Sequence, residues 1–168
     1  LKTIPGIGEE IASKLMNTGQ IFDAAEAELK HMEDESIGYV FYLDENYPPR
    51  LSNIPDAPLI LYTKGNLNLN PQRSIAIIGT RKPSVYGKSV TEEILETLAT
   101  YDVTMISGLA YGIDITAHKH CLKLNIPTIG VMGSGMGYIY PDSHLPVAQK
   151  MMHSGGIITE FTYDTGPD

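Results

Sequence analysis

Apolar and polar positions form a regular pattern over the second half of the chain. From residue 73 onward, four uninterrupted apolar runs each end at a glycine or a polar residue: Ser74 to Ile78, Val103 to Ile106, Thr128 to Met132 and Gly156 to Thr159. Between them, apolar residues recur at helical spacing over Ser89 to Ala99, Ile113 to Leu124 and Leu145 to Met152. This alternation predicts a parallel β-sheet covered on both faces, the doubly wound α/β architecture.

The amino-terminal part follows a different pattern and predicts a small helical piece over residues 1–36. Thr3 to Gly8 has the composition of a turn, and helical spacing predicts a helix from Glu9 until Gly19. The turn resembles that of helix-hairpin-helix modules, where N–H groups at a helix start face a DNA phosphate. A plain helix-start turn is the favoured alternative, because Glu9 and Glu10 stand where the phosphate would arrive.

Residues 37–72 are rich in proline, which suits edge strands and rigid turns and argues against a long helix. We predict a connector with one or two short strands, the last near Pro58 to Tyr62. Together with the alternating pattern that follows, this connector is assigned to one larger domain over residues 37–168.

Composition narrows the class of protein. The 168 residues, 42% hydrophobic and 19% charged, suit one globular domain plus a small appendage. No apolar run approaches the roughly 20 residues of a bilayer crossing and no signal peptide opens the chain, so we expect a cytoplasmic protein with no membrane partner.

The single cysteine, Cys121, cannot form an internal disulfide, which fits a reducing compartment. Because the chain begins at Leu1, we expect it to be part of something longer.

The net charge of −8 argues against a nucleic-acid binder until its distribution is considered. Residues 1–70 carry 5 basic and 11 acidic side chains, whereas residues 71–168 carry 7 and 9. No acidic residue lies between Asp56 and Glu92, a window that contains Lys64, Arg73, Arg81, Lys82 and Lys88. A local positive surface on an acidic protein is therefore possible, and the local field decides where an anion settles.

Three glycine-bearing loops follow the first three strands of the predicted parallel sheet. We call residues 79–87 the first loop, residues 107–114 the second loop and residues 133–141 the third loop. Loops that follow parallel strands gather along one edge of the sheet, where ligands bind. Glycine allows close approach of the backbone, and N–H groups at the following helix starts favour anions. Arg81 in the first loop is placed to grip a phosphate through two hydrogen bonds.

Several common catalytic and cofactor motifs are absent from the sequence. The first loop lacks G-x-G-x-x-G, and neither a complete G-x-x-x-x-G-K-[ST] phosphate loop nor a G-x-S-x-G elbow occurs, since Lys82 stands where the first glycine before Gly87-Lys88-Ser89 would be. We therefore expect no cofactor, no ATP hydrolysis and no serine esterase chemistry. His118 and His120 point about 200° apart on a helix and cannot share a metal ion through that helix alone, so no metal is expected.

Three polar residues are predicted to order the loops. Asp114 lies near a predicted helix start, where a carboxylate stabilises free N–H groups. His118 lies four residues later on the same helical face and could bond to it. Glu160, at the end of the fourth strand, should lie on the same edge, where it could orient a loop or instead repel phosphate. Ser107 has no base beside it in sequence and is expected to form loop hydrogen bonds rather than act as a nucleophile.

The ordered motifs make a family resemblance specific. They resemble in order the pattern of the DNA-processing protein A family, also called DprA or Smf, over about residues 37–168. The motifs include Ile77-Ile-Gly-Thr-Arg81, Ser107-Gly-Leu-Ala-Tyr-Gly-Ile-Asp114, Tyr140-Pro141 and Gly155-Gly-Ile-Ile-Thr-Glu160. The amino-terminal piece is similar to that family's small helical domain.

The resemblance implies an extended Rossmann-like fold, usually dimeric, that binds single-stranded DNA without sequence preference. It also implies protection of incoming DNA in natural transformation and transfer to the recombinase RecA, with no enzymatic activity. The candidate DNA- or phosphate-binding residues are Gly79, Thr80, Arg81, Lys82, Ser107, Gly108, Ala110, Tyr111, Gly112, Gly133, Ser134 and Gly135. Two departures stand out: His144 occupies the place of the family's usual asparagine, and the basic F-P-x-R-N-R segment into which family members continue is not part of these 168 residues.

Two other classes of function stay open on the residues alone. A nucleoside-monophosphate phosphoribohydrolase would use the same fold, although its P-G-G-x-G-T-x-x-E loop is missing. A nucleotide-sensing module would bind a mononucleotide in the same place without turnover.

Overall fold

Two compact units make up the chain, with their boundary between Ser36 and Ile37. The structure is a computed structural model and describes residues 8–16 and 18–167. The first unit contains helices α1 (Glu9–Met16) and α2 (Thr18–Asp34). Gly19, where the pattern predicted a helix end, lies inside α2; a glycine within a helix costs only about 1 kcal/mol. Apart from Gly8, the predicted turn over Thr3 to Gly8 lies outside the described residues.

The second unit is built on a six-stranded sheet in the order β1-β2-β6-β5-β4-β3. Its strands are β1 (Gly38–Phe41), β2 (Ile60–Gly65), β3 (Ser74–Ala76), β4 (Thr104–Gly108), β5 (Thr128–Val131) and β6 (Gly156–Thr159). Its helices are α3 (Pro49–Ser52), α4 (Val85–Leu98), α5 (Ile113–Leu124) and α6 (Leu145–Met151), and a 3₁₀ turn spans Asp142–His144.

Strands β3 to β6 are parallel, as the apolar runs predicted. The two connector strands join the sheet antiparallel, β1 to β2 and β2 to β6. The Rossmann-like α/β class is therefore confirmed, and the sheet as a whole is mixed rather than wholly parallel. Residues 42–59, which connect β1 to β2, contain only the short helix α3 among turns, and β2 returns beside β1 in the antiparallel direction without a long crossover helix.

Helices α4, α5 and α6 pack against one another in sequence order and cover one face of the sheet. The core beneath them contains Leu95, Val103, Met105, Ala117, Cys121 and Ile126, with Ile75 and Ile77 of the first parallel strand region against it. Met105 and Leu95 have no exposed surface. Alternation along each strand assigns one set of side chains to this core and the other set to the opposite face.

The opposite face of the sheet carries Ile106, Ile129, Val131 and Ile158, and it forms the floor of a groove of about 510 Å³. Residues around α3 and the proline-rich connector line the sides of this groove. No helix among the described residues covers it in the way that α4 to α6 cover the first face, so the predicted doubly wound arrangement with helices on both faces is corrected to helices on one face. Strands β3 to β6 lie side by side in chain order. Every crossover therefore steps in the same direction, and crossovers of one hand place their helices on one side.

Candidate functional site

The three loops meet at the carboxyl ends of β3, β4 and β5 and enclose a pocket of about 330 Å³, which we call the central pocket. Among the residues predicted from sequence, those lining it are Arg81, Gly108, Ala110, Tyr111, Gly133 and Ser134. Six further lining residues were not predicted, namely Leu109, Val131, Met132, Tyr140, Pro141 and Pro167. The expected convergence of the loops is thus present in the structure. Tyr140 and Pro141 belong to a motif of the family pattern, which was the available signal for them.

Arg81 is the cation of the central pocket. Its side chain is exposed, and among the described residues its guanidinium has no hydrogen bond or ion pair within the protein. A guanidinium carries five donors in a planar fork that matches the oxygens of a phosphate. Arg81 is therefore available to a ligand instead of being engaged in an internal pair.

The first and second loops pack directly on each other through two glycines. Gly112 has a φ of 89°, and a Cβ atom there would overlap the backbone of Thr80 and Arg81. A Cβ atom on Gly79 would lie 2.6 Å from the side chain of Ile113. The Ile113 N–H also donates to the Thr80 carbonyl at 3.2 Å. These glycines allow the two loops to touch, and neither Gly79 nor Gly112 lines the central pocket.

Thr80 and Lys82 do not line the central pocket either. The Thr80 hydroxyl accepts a hydrogen bond from the Lys82 N–H at 3.1 Å, which fixes the turn next to Arg81. The Lys82 side chain lies in a neighbouring groove that also includes Arg81 and Gly112. Thr80 therefore acts on the site through the backbone of the first loop.

Ser107, one of the predicted ligand contacts, lies beside the central pocket without lining it. It is 2% exposed, and its hydroxyl donates to the Ile77 carbonyl, which ties the end of β4 to the end of the neighbouring strand. Its hydroxyl is thus committed to a backbone carbonyl, and Ser107 is not among the residues that line the central pocket. The predicted role in loop hydrogen bonding describes Ser107 correctly.

Asp114 lies beneath the second loop and is 5% exposed. Burial raises the pKa of its carboxyl group, and the nearby groups of Gly79, Ser107 and Ala110 favour the charged form and oppose that rise. One carboxylate oxygen, Oδ1, has no hydrogen-bond partner. Asp114 therefore lies where the first and second loops meet, consistent with the predicted ordering role.

His118 has no exposed surface and joins the second loop to β5. Its Nε2 lies 2.8 Å from the Gly108 carbonyl oxygen, and its Nδ1 lies 2.7 Å from the Thr128 hydroxyl oxygen. A carbonyl oxygen only accepts, so Nε2 carries the hydrogen and Nδ1 accepts from Thr128. Burial lowers the pKa of His118 to about 4. The neutral ring therefore holds the second loop, and the predicted bond to Asp114 is not among its contacts.

His144 is a site residue whose contacts the sequence did not predict. It is 5% exposed, and its Nδ1 donates to the Leu109 carbonyl at 2.7 Å. Its ring also packs edge-on against Tyr111, with ring centroids 5.0 Å apart. His144 thus connects the segment after the third loop to the wall of the central pocket. In the sequence, His144 stood out because the family pattern usually has an asparagine there. In the structure, its bond to the Leu109 carbonyl helps to position the second loop.

The third loop is held by hydrogen bonds within itself, to strand β6 and to the terminal segment. The Ser134 hydroxyl donates to the Tyr138 carbonyl at 2.7 Å, and the Thr159 hydroxyl donates to the Ser134 carbonyl at 2.8 Å. Gly135 is buried, and its N–H donates to the Thr165 carbonyl at 2.8 Å. A Cβ atom on Gly135 would overlap the backbone of residues 162–163. Gly135 therefore packs on the terminal segment and does not line the central pocket.

Glu160 lies outside the central pocket. It lies at the end of β6 as predicted, but it lines the groove on the opposite face of the sheet. Its charge raises the pKa of Tyr47, after the larger effect of burial. Among the described residues, the Glu160 carboxylate accepts no hydrogen bond from the three loops. Its position in this groove gives no contact that would order the three loops, and the predicted loop-ordering role stays a prediction.

The structure also bears on metals and membranes. Across residues 8–16 and 18–167, no cluster of three or more histidine, cysteine, aspartate or glutamate side chains could hold a metal ion. In the same part of the chain, none of the helices combines the length and apolar character needed to span a membrane.

The fold and the site define a Rossmann-like α/β protein whose strand-end loops enclose a pocket with one unpaired arginine. A family model for DNA recombination-mediator protein A matches residues 38–168. The chain therefore belongs to the DNA recombination-mediator protein A family.

Individual relatives agree with this assignment. The chain is 40% identical over 124 residues to protein Smf of Escherichia coli, a match that covers 73% of this chain and 33% of the relative. It is 33% identical over 135 residues to DNA processing protein DprA of Bacillus subtilis, covering 80% of this chain and 46% of the relative. The chain thus spans less than half the length of these two curated relatives.

Solved structures show the same fold. DNA processing protein A of Streptococcus pneumoniae superposes with a TM-score of 0.72 at 29% identity, covering 83% of this chain and 50% of that one. DNA processing protein A of Helicobacter pylori, described with a unique single-stranded DNA binding mode, gives a TM-score of 0.69 at 31% identity. That match covers 79% of this chain and 59% of the Helicobacter protein.

Proposed function

We propose that this protein binds single-stranded DNA without sequence preference, with the sugar-phosphate chain seated in the central pocket against Arg81. The convergence of three loops around one unpaired guanidinium carries the proposal. The relative from Helicobacter pylori, described as a single-stranded DNA binder, supports it. Phosphate contacts supply affinity that does not depend on base identity.

The proposed role is binding rather than catalysis. The hydroxyl of Ser134, which lines the pocket, donates to a backbone carbonyl, and His144 Nδ1 donates to another. These side chains hold the loops in place and are not poised as a nucleophile and its base. The aromatic rings of Tyr111 and Tyr140 line the same pocket and offer faces on which unpaired bases can stack.

The test is fluorescence anisotropy with a labelled oligothymidine at low salt. We expect binding by the protein, and a loss of roughly 1.5–3 kcal/mol in Arg81→Ala, the range for a hydrogen bond to a charged group. Arg81→Lys should recover only part of the loss, since lysine keeps the charge but not the planar fork. Arg73→Ala is the matched control, because Arg73 is exposed and precedes β3 at the opposite edge of the sheet. Equal binding by Arg81→Ala and Arg73→Ala would contradict the proposal.

We further propose that the protein acts in the cytoplasm as a dimer that protects incoming strands during natural transformation and passes them to the recombinase RecA. Membership of the recombination-mediator family supports this role. Sedimentation of the protein should give the dimer mass. Adding the protein to DNA coated by a single-strand binding protein should speed the onset of DNA-dependent ATP hydrolysis by RecA. An unchanged onset would rule out transfer to RecA while leaving DNA binding intact.

A further inference from the structure

A second groove adjoins the central pocket, and we call it the basic groove. It has a volume of about 500 Å³ and lies between the first loop, α4 and α5. Its cationic lining residues are Arg81, Lys82, Lys88 and Lys119. Lys88 comes from the first turn of α4 and Lys119 from the second turn of α5, so the positive ends of both helices lie near it.

The charges of the basic groove are unbalanced. No acidic residue lines it, and none of its four cations has an ion-pair partner in the part of the chain that the structure describes. The carboxylates nearest in sequence lie outside the groove lining. Glu92 and Glu96 lie 3.8 and 3.4 Å from the ring nitrogens of His120, where α4 packs on α5, and Asp114 is buried beneath the second loop. The groove therefore has a positive local field on a protein whose net charge is −8.

The basic groove and the central pocket adjoin each other. Arg81 and Tyr111 line both of them, so these two side chains form their common border. Tyr111 is 47% exposed and is braced by the ring of His144. A chain with a charge at every unit would meet one cation after another across this border.

We propose that the basic groove binds a second segment of the same DNA strand through its phosphates, extending the site beyond the central pocket. This inference rests on the proposed function. Lysines are point charges that attract phosphate without reading a base, which suits a strand of any sequence. The Thr116 hydroxyl in the groove wall donates to the Gly112 carbonyl and is thus committed within the protein. The cations therefore dominate what the groove recognises.

The test compares two double variants of equal charge. Lys88→Gln with Lys119→Gln removes two cations from the groove, while Lys123→Gln with Lys150→Gln removes two exposed lysines that lie outside it. Each is measured by anisotropy with oligothymidines of about 5 and about 15 nucleotides, near the limits of site sizes for single-strand binding folds. All four lysines are exposed. Thermal unfolding should therefore stay the same in both variants.

We expect the unmodified protein to have a higher affinity for the longer strand than for the shorter one. The difference should exceed what the larger number of equivalent binding positions on the longer strand accounts for. The groove variant should bind the longer strand about tenfold more weakly and the shorter one almost as well as before. The slope of log affinity against log salt for the longer strand should fall by about 1.4 in magnitude, since each phosphate that a lysine no longer neutralises accounts for about 0.7. The control variant should follow the unmodified protein on both strands.

The outcomes separate the two proposals. If the unmodified protein binds neither strand at low salt, the proposed function fails and the basic groove fails with it. If it binds both strands and the groove variant matches the control, the groove proposal is wrong and the central pocket stands. Equal weakening on short and long strands also overturns the groove proposal, because the lysines would then act through the central pocket or through net charge.

Discussion

His118 influences the site from beneath the second loop without reaching its surface. Its Nε2–H is bonded to the Gly108 carbonyl and its Nδ1 to the Thr128 hydroxyl, so one ring spans from the loop to β5. The pKa of this ring is lowered to about 4, chiefly by burial. A charged imidazolium would lose the bond in which Nδ1 accepts and would lie in a site shielded from solvent.

This gives a pH dependence with a defined sign. In the unfolded chain His118 binds a proton near pH 6.5, whereas in the folded protein it does so only near pH 4. The stability provided by the neutral ring is therefore complete above about pH 6.5 and is lost as the pH falls toward 4. The full effect amounts to about 3 kcal/mol, from about 1.4 kcal/mol for each pH unit between the two values.

Urea unfolding between pH 7.5 and 4 measures the effect as the difference between the protein and His118→Gln. The variant should be less stable at neutral pH, and its stability should fall less steeply below pH 6.5. His153→Gln serves as the control, because His153 is exposed. Parallel pH profiles for the protein and His118→Gln would show that the ring does not carry this linkage.

Helix α5 is the element that organises the site. It starts at Ile113, whose N–H is bonded to the first loop, and it carries Asp114 and His118 on one face toward the second loop. It also packs on both α4 and α6 and on β4 and β5. A change at its first turn is therefore transmitted to both loops, and Gly112 is the residue at that junction.

Replacing Gly112 with alanine should separate the first and second loops. The positive φ disfavours any side chain by about 1–2 kcal/mol, and the added Cβ atom would overlap the backbone of Thr80 and Arg81. We expect a loss of roughly 2–4 kcal/mol in the free energy of unfolding, read from urea denaturation. Gly133→Ala is the control, since no atom lies within 4 Å of a Cβ placed there. Similar stabilities for the two variants would contradict this interpretation.

The sequence predicted the elements well where one physical rule applied. The bounds of α5 agree with the predicted Ile113 to Leu124. The helical spacing of its apolar residues defines the helix, and Asn125, which adopts the left-handed conformation, ends it. The parallel strands followed from apolar runs that end at polar residues. The pairing of β1 with β2 was not predicted, since prolines in the connector indicate turns but not the direction of a strand.

The candidate site was predicted at the level of loops and less well at the level of side chains. Arg81 follows β3, and strand-end geometry was sufficient to place it. A glycine in a loop can allow either close approach of a ligand or close packing of another loop. The sequence does not distinguish the two, and the structure shows loop packing at Gly79, Gly112 and Gly135. The contact of His144 with Leu109 depends on the path of the third loop, and this path is not encoded locally.

At the scale of the whole molecule, the net charge and the local charge of the basic groove have opposite signs. The net charge is −8, yet four cations without ion pairs among the described residues line the basic groove, one of them shared with the central pocket. Association with DNA should therefore depend strongly on salt. If all four cations contact phosphates, log affinity should fall with log salt at a slope of about −3, near 0.7 per contact.

Anisotropy titrations with a long oligothymidine over a series of salt concentrations give this slope. Mutation of the lysines one at a time should reduce its magnitude by about 0.7 each. A slope near zero would mean that stacking on the tyrosines, rather than phosphate contact, supplies the affinity.

The hydrogen-bonding pattern of His118 also allows the state of the site to be followed by NMR spectroscopy. With its hydrogen kept on Nε2, the ring has one pyrrole-type and one pyridine-type nitrogen, and these resonate far apart in a nitrogen-15 spectrum. Only an intact second loop keeps that assignment fixed. Loosening of the loop would allow the two tautomers to exchange and would draw the two resonances together, so the state of the loop can be followed without any bound ligand or attached dye.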